Sequence, residues 1–382
     1  MNKPTSEKTI AITSNTSWYL YNFRKNTIIH LIKIGFRIIT IAPYDEYTKK
    51  LIELGTHHID LKISSRGINP IKEFITLYHF YNIYKKNKID IILNFTPKNN
   101  IYSSLTGKAN RIKVINNIAG LGLIFSKKNI LNKLVTYLYK KSSADFVFFQ
   151  NKDDYYLFKK NNLIDEKKTQ YDILPGSGVD IKKFIPTYKE KNNNLVFILV
   201  ARMLYEKGVT YYIDAAKIIK EKYGNNISFY LLGPIIDNKQ KNISLERFNS
   251  LEKEGIIKYL GFTNNVNKYL KEADCVVLPS FYREGVPRSL LEAAAMGKPI
   301  ITTDNIGCKE VVENGYNGFL CQPKSLKDLV YCIDKFINLG HKEKISMGMN
   351  GRRKIENEFN EDIVINKYVT IINKLLSTSE KQ

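Results

Sequence analysis

Short runs of apolar residues alternate along this chain with longer segments in which apolar positions recur every three or four residues and lysines fill the gaps. In the first half the runs are "KTIAITS", "FRIITIAP", "DIILNF", "IKVINN" and "DFVFFQ". They are short and rich in isoleucine, which predicts strands buried on both faces, and the amphipathic segments between them predict helices covering a parallel sheet. A second series begins at "LVFILVAR" and continues through "ISFYLLG", "IKYLG", "DCVVLP", "PIITT" and "GFLC". Between the two lies "LPGSGVDIKKFIPTYKEKNNN", whose Gly, Pro, Asn and Lys content reads as a connection between domains. The pattern therefore predicts two doubly wound α/β domains, at residues 1–175 and 195–360, joined by 176–194. A last helix, about 361–382, is expected to pack back on the first domain. Folds of this kind hold ligands outside the carboxyl ends of their strands, so a crevice where two such edges face each other is the expected binding place.

A chain of 382 residues, 43% of them hydrophobic, can bury two cores of ordinary size. It has no apolar run of membrane-spanning length, and no signal-type apolar stretch precedes "KTIAITS", so a cytoplasmic location is expected. Cys275, Cys308, Cys321 and Cys332 stand singly, without a Cys-x-x-Cys pair, which predicts reduced thiols and no zinc site. The net charge of +22 is uneven, because residues 1–190 hold 31 Lys and Arg against 15 Asp and Glu. Lysine-rich composition accounts for part of this. It accounts less well for "SKKNILNKLVTYLYKK", where Ile130, Leu131, Leu134, Val135 and Leu138 form one helical stripe edged by Lys127, Lys128, Lys133, Lys140 and Lys141. Such a helix either lies on anionic lipid or covers the sheet of its own domain. The charge also raises a nucleic-acid-binding reading, but no recognisable nucleic-acid module accompanies it.

The candidate chemistry sits in the second half. "DCVVLPSFYREGVPRSLLEAAAMGKPIITT" predicts a strand to about Leu278, a loop to Val286, a helix from Pro287 to Met296 and another strand. Glu284 falls on the loop and Glu292 on the second turn of the helix. Anions are favoured at a helix N-terminus, and a carboxylate can accept two hydrogen bonds from vicinal hydroxyls. The competing structural reading is an idle Glu284 and a solvated Glu292 paired with Lys298. In "VARMLYEKGV", Arg202 leaves the end of a strand and Lys207 follows five residues on, which puts two cations at the same edge. Their structural reading is a surface pair beside Glu206. No Asp-x-Asp occurs in the chain, so a metal requirement is not expected.

With these residues in view, "REGVPRSLLEAAAMGKPII" resembles the Glu-x7-Glu signature of the retaining, nucleotide-sugar-dependent glycosyltransferases of family four, which have the GT-B fold of two Rossmann-like domains facing a central cleft. The wording Val-Pro-Arg and Leu-Leu-Glu-Ala resembles the capsule and O-antigen branch. "NTSWYLYNFR", "IAPYDEY", "NNIAGLG", "FFQNKDD", "LPGSGVD", "VARMLYEKGV" and "ENGYNGFL" follow in the order that branch shows. The resemblance implies that Arg202 and Lys207 bind the donor diphosphate. It implies that Glu284, with Gly285 and Val286, holds the transferred sugar and that Glu292 holds the ribose. It implies retention in which the departing phosphate takes the acceptor's proton, with no cofactor and no metal. The expected reaction moves a hexosyl unit from a UDP-sugar to a lipid-linked surface polysaccharide at the inner face of the membrane. A small soluble acceptor, such as a sugar phosphate, is the alternative.

The first half departs from the wider family in two places. Its first loop reads "TSNTSW" instead of carrying paired glycines, which leaves Ser14, Asn15 and Thr16 to meet phosphate or acceptor. The loop "NNIAGLG" offers Gly120 and Gly122 but not the histidine many relatives place there. Gly120 and Gly122 do not make a dinucleotide fingerprint either, since Phe125 stands where its third glycine belongs. Gly176 and Gly178 in "PGSGVD" serve equally well as turn residues or as a place of close approach to a ligand.

Overall fold

The computed structural model describes residues 7–63, 69–120, 130–142, 144–190, 194–235 and 243–379, without the side chains of 130–132 and 379. The chain divides into two compact units, Met1–Ser177 with Val364–Gln382, and Gly178–Ile363.

The first unit is built on seven strands, β1 (Thr9–Thr13), β2 (Arg37–Ala42), β3 (His57–Asp60), β4 (Ile91–Phe95), β5 (Lys113–Ile118), β6 (Phe146–Phe149) and β7 (Gln170–Ile173). They run parallel in the order β3-β2-β1-β4-β5-β6-β7. The helices are α1 (Ser17–Lys33), α2 (Thr48–Glu53), α3 (Pro70–Lys86), α4 (Pro97–Ala109), α5 (Ile130–Lys141) and α6 (Lys152–Lys160). Alternate residues along a strand feed opposite cores: Ile39 and Ile41 join Phe80, Tyr84, Tyr139 and Phe158 on one face, while Ile38 and Ala42 join Leu20, Ile28, Leu31 and Leu51 on the other. Burial on both faces is why these strands are continuously apolar in sequence. Helices α3 to α6 cover the first face, and α1 and α2 cover the second.

The second unit carries six parallel strands, β8 (Leu195–Val200), β9 (Ile227–Leu232), β10 (Lys258–Tyr259), β11 (Cys275–Leu278), β12 (Ile300–Thr303) and β13 (Gly318–Cys321), in the order β10-β9-β8-β11-β12-β13. Its helices are α7 (Val209–Tyr223), α8 (Leu245–Lys253), α9 (Val266–Glu272), α10 (Arg288–Ala295), α11 (Leu326–Ile337) and α12 (His341–Lys354). Phe197 and Leu199 pack with α7 and α11, and Ile198 and Val276 pack with α10.

The stretch read as a connector is packed at its described residues from 178 on. Val179 and Phe184 are buried in the core beside α10, and the Arg352 guanidinium donates to the carbonyls of Phe184, Ala295 and Ile181 at 2.7, 2.8 and 3.2 Å. The apolar residues here, Val179, Ile181, Phe184 and Ile185, are too few to sustain either helical or strand spacing, so periodicity gave no signal of this. Gly178, at φ +70°, passes so close to Glu361 that a Cβ would lie 2.5 Å from its Cα, so here glycine answers a packing need. The last helix, α13 (Glu361–Ser379), belongs to the first unit from Val364 onward and buries Tyr368 and Ile372 against the face covered by α1. Tyr368 donates its phenol proton to Asn117 Oδ1 at 2.5 Å, and Lys367 pairs with Asp172 at 2.7 Å.

Candidate functional site

In the second unit the chain goes from β8 outward to β9 and β10, then returns past β8 to β11 and continues to β12 and β13. The loops after β8 and β11 therefore diverge from neighbouring strands, and that reversal is where open α/β sheets hold ligands. Arg202 and Lys207 on the first of these loops and Glu284 on the second are at this edge, while Glu292 lies on the helix that follows. Arg202 is exposed two residues beyond β8, and Lys207 ends a single 3₁₀ turn, Tyr205–Lys207. Gly208 follows at φ +78°, and a Cβ there would stand 2.1 Å from Pro279 O, so only glycine lets the two loops touch. Backbone bonds from Phe281 N and Tyr282 N to Glu206 O, at 3.0 and 3.1 Å, fasten them together.

Across this seam Lys207 Nζ forms an ion pair with Glu284 Oε1, and Ser280 Oγ donates to the same oxygen at 3.0 Å. The two charged side chains are only 13% and 11% exposed, which makes the pair much less screened than a surface salt bridge. Lys207 Nζ also lies 5.6 Å from the centre of the Tyr282 ring. Burial raises the Tyr282 phenol above its ordinary value; the Glu284 charge adds to this and Arg202 opposes it, so Arg202 is within electrostatic reach of the group. Burial, followed by the Glu284 charge, pushes Cys308 to about 12 and keeps it a thiol. All four cysteines are free and buried.

The loop after β12 completes the support. Gly307, at φ +84°, lies so close to the Glu284 loop that a Cβ would stand 1.8 Å from Gly285 O and 2.8 Å from Glu284 Cβ. Asn305 Nδ2 donates to Tyr282 O at 2.8 Å, and Thr303 Oγ1 donates to Ser280 O. Val286 is buried at the end of the loop.

Helix α10 begins at Arg288, with Pro287 as its N-cap instead of its first helical residue, and Gly297 follows its C-terminus at φ +68°. No acidic residue occupies the first turn. Glu292 lies on the second turn and accepts from Arg288 Nε at 2.9 Å, both side chains being mostly buried. The alternative partner, Lys298, is occupied elsewhere: it is buried and donates to Thr187 O and Lys271 O at 2.8 and 3.1 Å. Arg288 is legible in sequence as an i, i+4 partner of Glu292, and reading the glutamates alone missed it. Ser280, Asn305 and Gly307 could not have been found from spacing, since they are brought to Glu284 by adjacent strand ends.

In the first unit the strand order reverses between β1 and β4, and the loop after β1 carries Ser14, Asn15 and Thr16. Thr16 is the N-cap of α1, its Oγ1 accepting from Tyr19 N at 3.1 Å, and Ser14 Oγ donates to Asn15 Oδ1 at 3.5 Å. The cap gives Thr16 a structural duty that leaves the hydroxyl proton unused by it. Gly120 follows β5 at φ +79°, and Gly122 lies outside the described residues. Of the lysines read as lipid-facing, Lys133 and Lys140 are exposed on α5, and Lys127 and Lys128 lie outside the described residues. Val135 and Leu138 pack on the core, so part of the α5 stripe does cover the sheet.

Two parallel, doubly wound units, each with a reversal of strand order, define the fold as GT-B. The "Glycosyl transferases group 1" model matches residues 180–354 and the "Glycosyl transferase 4-like" model matches residues 9–151, so both halves are accounted for. The chain belongs to the family-four glycosyltransferases, in the branch that contains capsule and O-antigen enzymes. It is 29% identical, over 96% of its length and 99% of the relative's, to the N,N'-diacetylbacillosaminyl-diphospho-undecaprenol alpha-1,3-N-acetylgalactosaminyltransferase of Campylobacter jejuni. It is 27% identical, over 86% of its length and 89% of the relative's, to the UDP-Gal:alpha-D-GlcNAc-diphosphoundecaprenol alpha-1,3-galactosyltransferase of Escherichia coli. The fold is shared with the Anabaena protein HepE, solved with UDP and glucose, at a TM-score of 0.75 and 17% identity, covering 96% of this chain and 99% of that one. Among the described residues no helix is long and apolar enough to cross a membrane.

Proposed function

We propose that this glycosyltransferase transfers a hexosyl unit, with retained anomeric configuration and without a metal ion, from a UDP-sugar to a lipid-linked acceptor of surface-polysaccharide synthesis. The observation that carries the reading is the Lys207–Glu284 pair at the strand-order reversal of the second unit. Breaking a glycosyl-phosphate bond leaves negative charge on the diphosphate, and catalysis needs that charge met by groups already in place. Lys207 and Arg202 meet it, together with the positive end of the α10 dipole. With three donors, the Lys207 ammonium can hold Glu284 and a phosphate oxygen at once. Glu284, fixed by Lys207 and Ser280, accepts from hydroxyls of the donor sugar. Glu292, fixed by Arg288, accepts from the ribose hydroxyls. No cofactor takes part. The departing phosphate receives the acceptor's proton on the face it leaves, so positioning supplies most of the rate.

The names of the two relatives support the choice of substrates, since both act on acceptors joined through a diphosphate to undecaprenol and one uses UDP-Gal. Such an acceptor would place the enzyme at the inner face of the cell membrane as a peripheral protein. The decisive experiment supplies purified protein with a panel of UDP-sugars and an undecaprenyl-diphosphate-linked sugar in detergent, with NMR of the product. An α-linked product from an α-linked donor, formed in excess EDTA, is expected. An inverted product, abolition by chelator with rescue by a divalent ion, or transfer only to water-soluble sugar phosphates would overturn the corresponding part.

A further inference from the structure

Helix α3 carries apolar surface that the described residues of its own domain leave exposed. Thr76, Phe80 and Tyr84 are buried toward the sheet, and Leu77 and Ile83 are half-buried. On the other side Ile71, Phe74, Ile75, Tyr78 and Tyr81 are 72%, 71%, 46%, 59% and 38% exposed. The first four recur at i, i+3, i+4 and i+7, so they form one stripe directed at solvent, where a surface helix ordinarily carries charge. Lys72, Lys85 and Lys86 are exposed along it, and the acidic Glu73 is taken up by Lys98 at 2.5 Å. Helix α3 packs on α4 and α4 on α5, all over the same face of the sheet. On α5, Leu134 and Tyr137 are 52% and 56% exposed, amid exposed Lys133, Lys140 and Lys141.

We propose that this face of the first unit docks on an anionic lipid surface, with α3 lying in the interface plane and supplying the apolar anchor while α5 adds lysines and a smaller apolar contact. The composition fits lipid: aromatic residues with a polar tip favour the headgroup boundary, and flanking lysines meet anionic headgroups. The excess of basic residues in the first half of the chain falls in the same unit. The inference rests on the reading that the acceptor is lipid-linked, and it moves the principal contact to α3 from α5, whose periodicity allowed lipid contact and sheet cover alike.

The test is flotation with vesicles of equal parts phosphatidylglycerol and phosphatidylcholine, and with phosphatidylcholine alone. Ile71, Phe74 and Tyr78 are exposed, so the triple change I71S/F74S/Y78S should fold normally by circular dichroism. Removing three interfacial apolar side chains should cut partition into the anionic vesicles by about tenfold or more. Added salt should weaken wild-type binding, and K72E/K85E/K86E should bind no better in low salt than the wild type does in high salt. A Phe74→Trp change in a Trp18→Phe background, which removes the chain's one native tryptophan, should give blue-shifted emission on anionic vesicles and quenching by brominated lipid. Unchanged flotation of the serine variant, W18F/F74W emission that brominated lipid leaves unquenched, or a wild-type dimer that the serine changes convert to monomer without altering flotation would each overturn the proposal. Transfer to the lipid-linked acceptor in detergent is measured in parallel. Transfer with unchanged flotation removes only the docking surface, whereas loss of flotation without any such transfer removes only the acceptor assignment.

Discussion

Lys207 and Glu284 neutralise one another in a poorly solvated seam, so changing either exposes the other. Lys207→Ala leaves a mostly buried carboxylate without its cation and removes a diphosphate donor, and turnover should fall by roughly two orders of magnitude. Steady-state transfer by a folded K207A protein checks this, and near-normal kcat would refute the role. The two glutamates should separate in a binding experiment. Glu292→Gln should weaken free UDP by about 1–3 kcal/mol, whereas Glu284→Gln should leave UDP affinity close to normal and lose transfer. Isothermal calorimetry with UDP decides between these roles, and equal effects would show that the roles are misassigned. Lys298 carries a separate prediction, about stability. Burial lowers its ammonium to about 8 from the ordinary 10.5. Between those values the unfolded chain holds a proton that the folded chain has lost, so this residue makes stability rise as pH climbs through that window. The rise, on the order of 3 kcal/mol, should be missing from Lys298→Met when the two proteins' urea midpoints are compared from about pH 7.5 to about pH 10.5.

At the scale of elements, the site depends on loops being brought closer than side chains would permit. Gly208 and Gly307 both have positive φ, and in each a Cβ would run into a carbonyl oxygen of the Pro279–Gly285 loop. Gly307→Ala must therefore displace either its own loop or the backbone of Glu284 and Gly285. A loss of about 1–3 kcal/mol in stability is expected, with sugar transfer reduced more than a mere stability change would explain. Thermal melts and steady-state transfer by the folded variant measure the two. If G307A keeps full activity, the support assigned to the third loop is wrong. Helix α10 shows a different dependence: it is short, Ala-rich and buried on one side, and the Arg288–Glu292 pair on its first two turns fixes the carboxylate's direction.

At the scale of the whole molecule, α13 returns to the first unit after the second has been completed. Tyr368 and Ile372 are fully buried there, so a chain ending at Asn360 strips a helix from the core of a domain far away in sequence. That should cost the first unit well over the roughly 5 kcal/mol of a single large core deletion, and the truncated protein should be insoluble or show no cooperative transition. A soluble truncation with an unaltered melting profile would contradict it. The number and kind of domains, the strand runs, and the placement of Arg202, Lys207 and Glu284 on loops beyond strand ends and of Glu292 on the helix that follows were determined by sequence alone, because parallel strands buried on both faces must be continuously apolar and the charges fall outside them. Apart from the i, i+4 pair of Arg288 with Glu292, tertiary structure alone decided which of these charges pair. Lys207 meets Glu284 and Lys298 does not meet Glu292, because the order β8-β11-β12 brings three loops to one edge while Lys298 turns to carbonyls elsewhere. It also decided that the α3 stripe, periodic in sequence like any sheet-covering helix, is the one left facing solvent: periodicity names two faces of a helix, and only packing says which of them is buried.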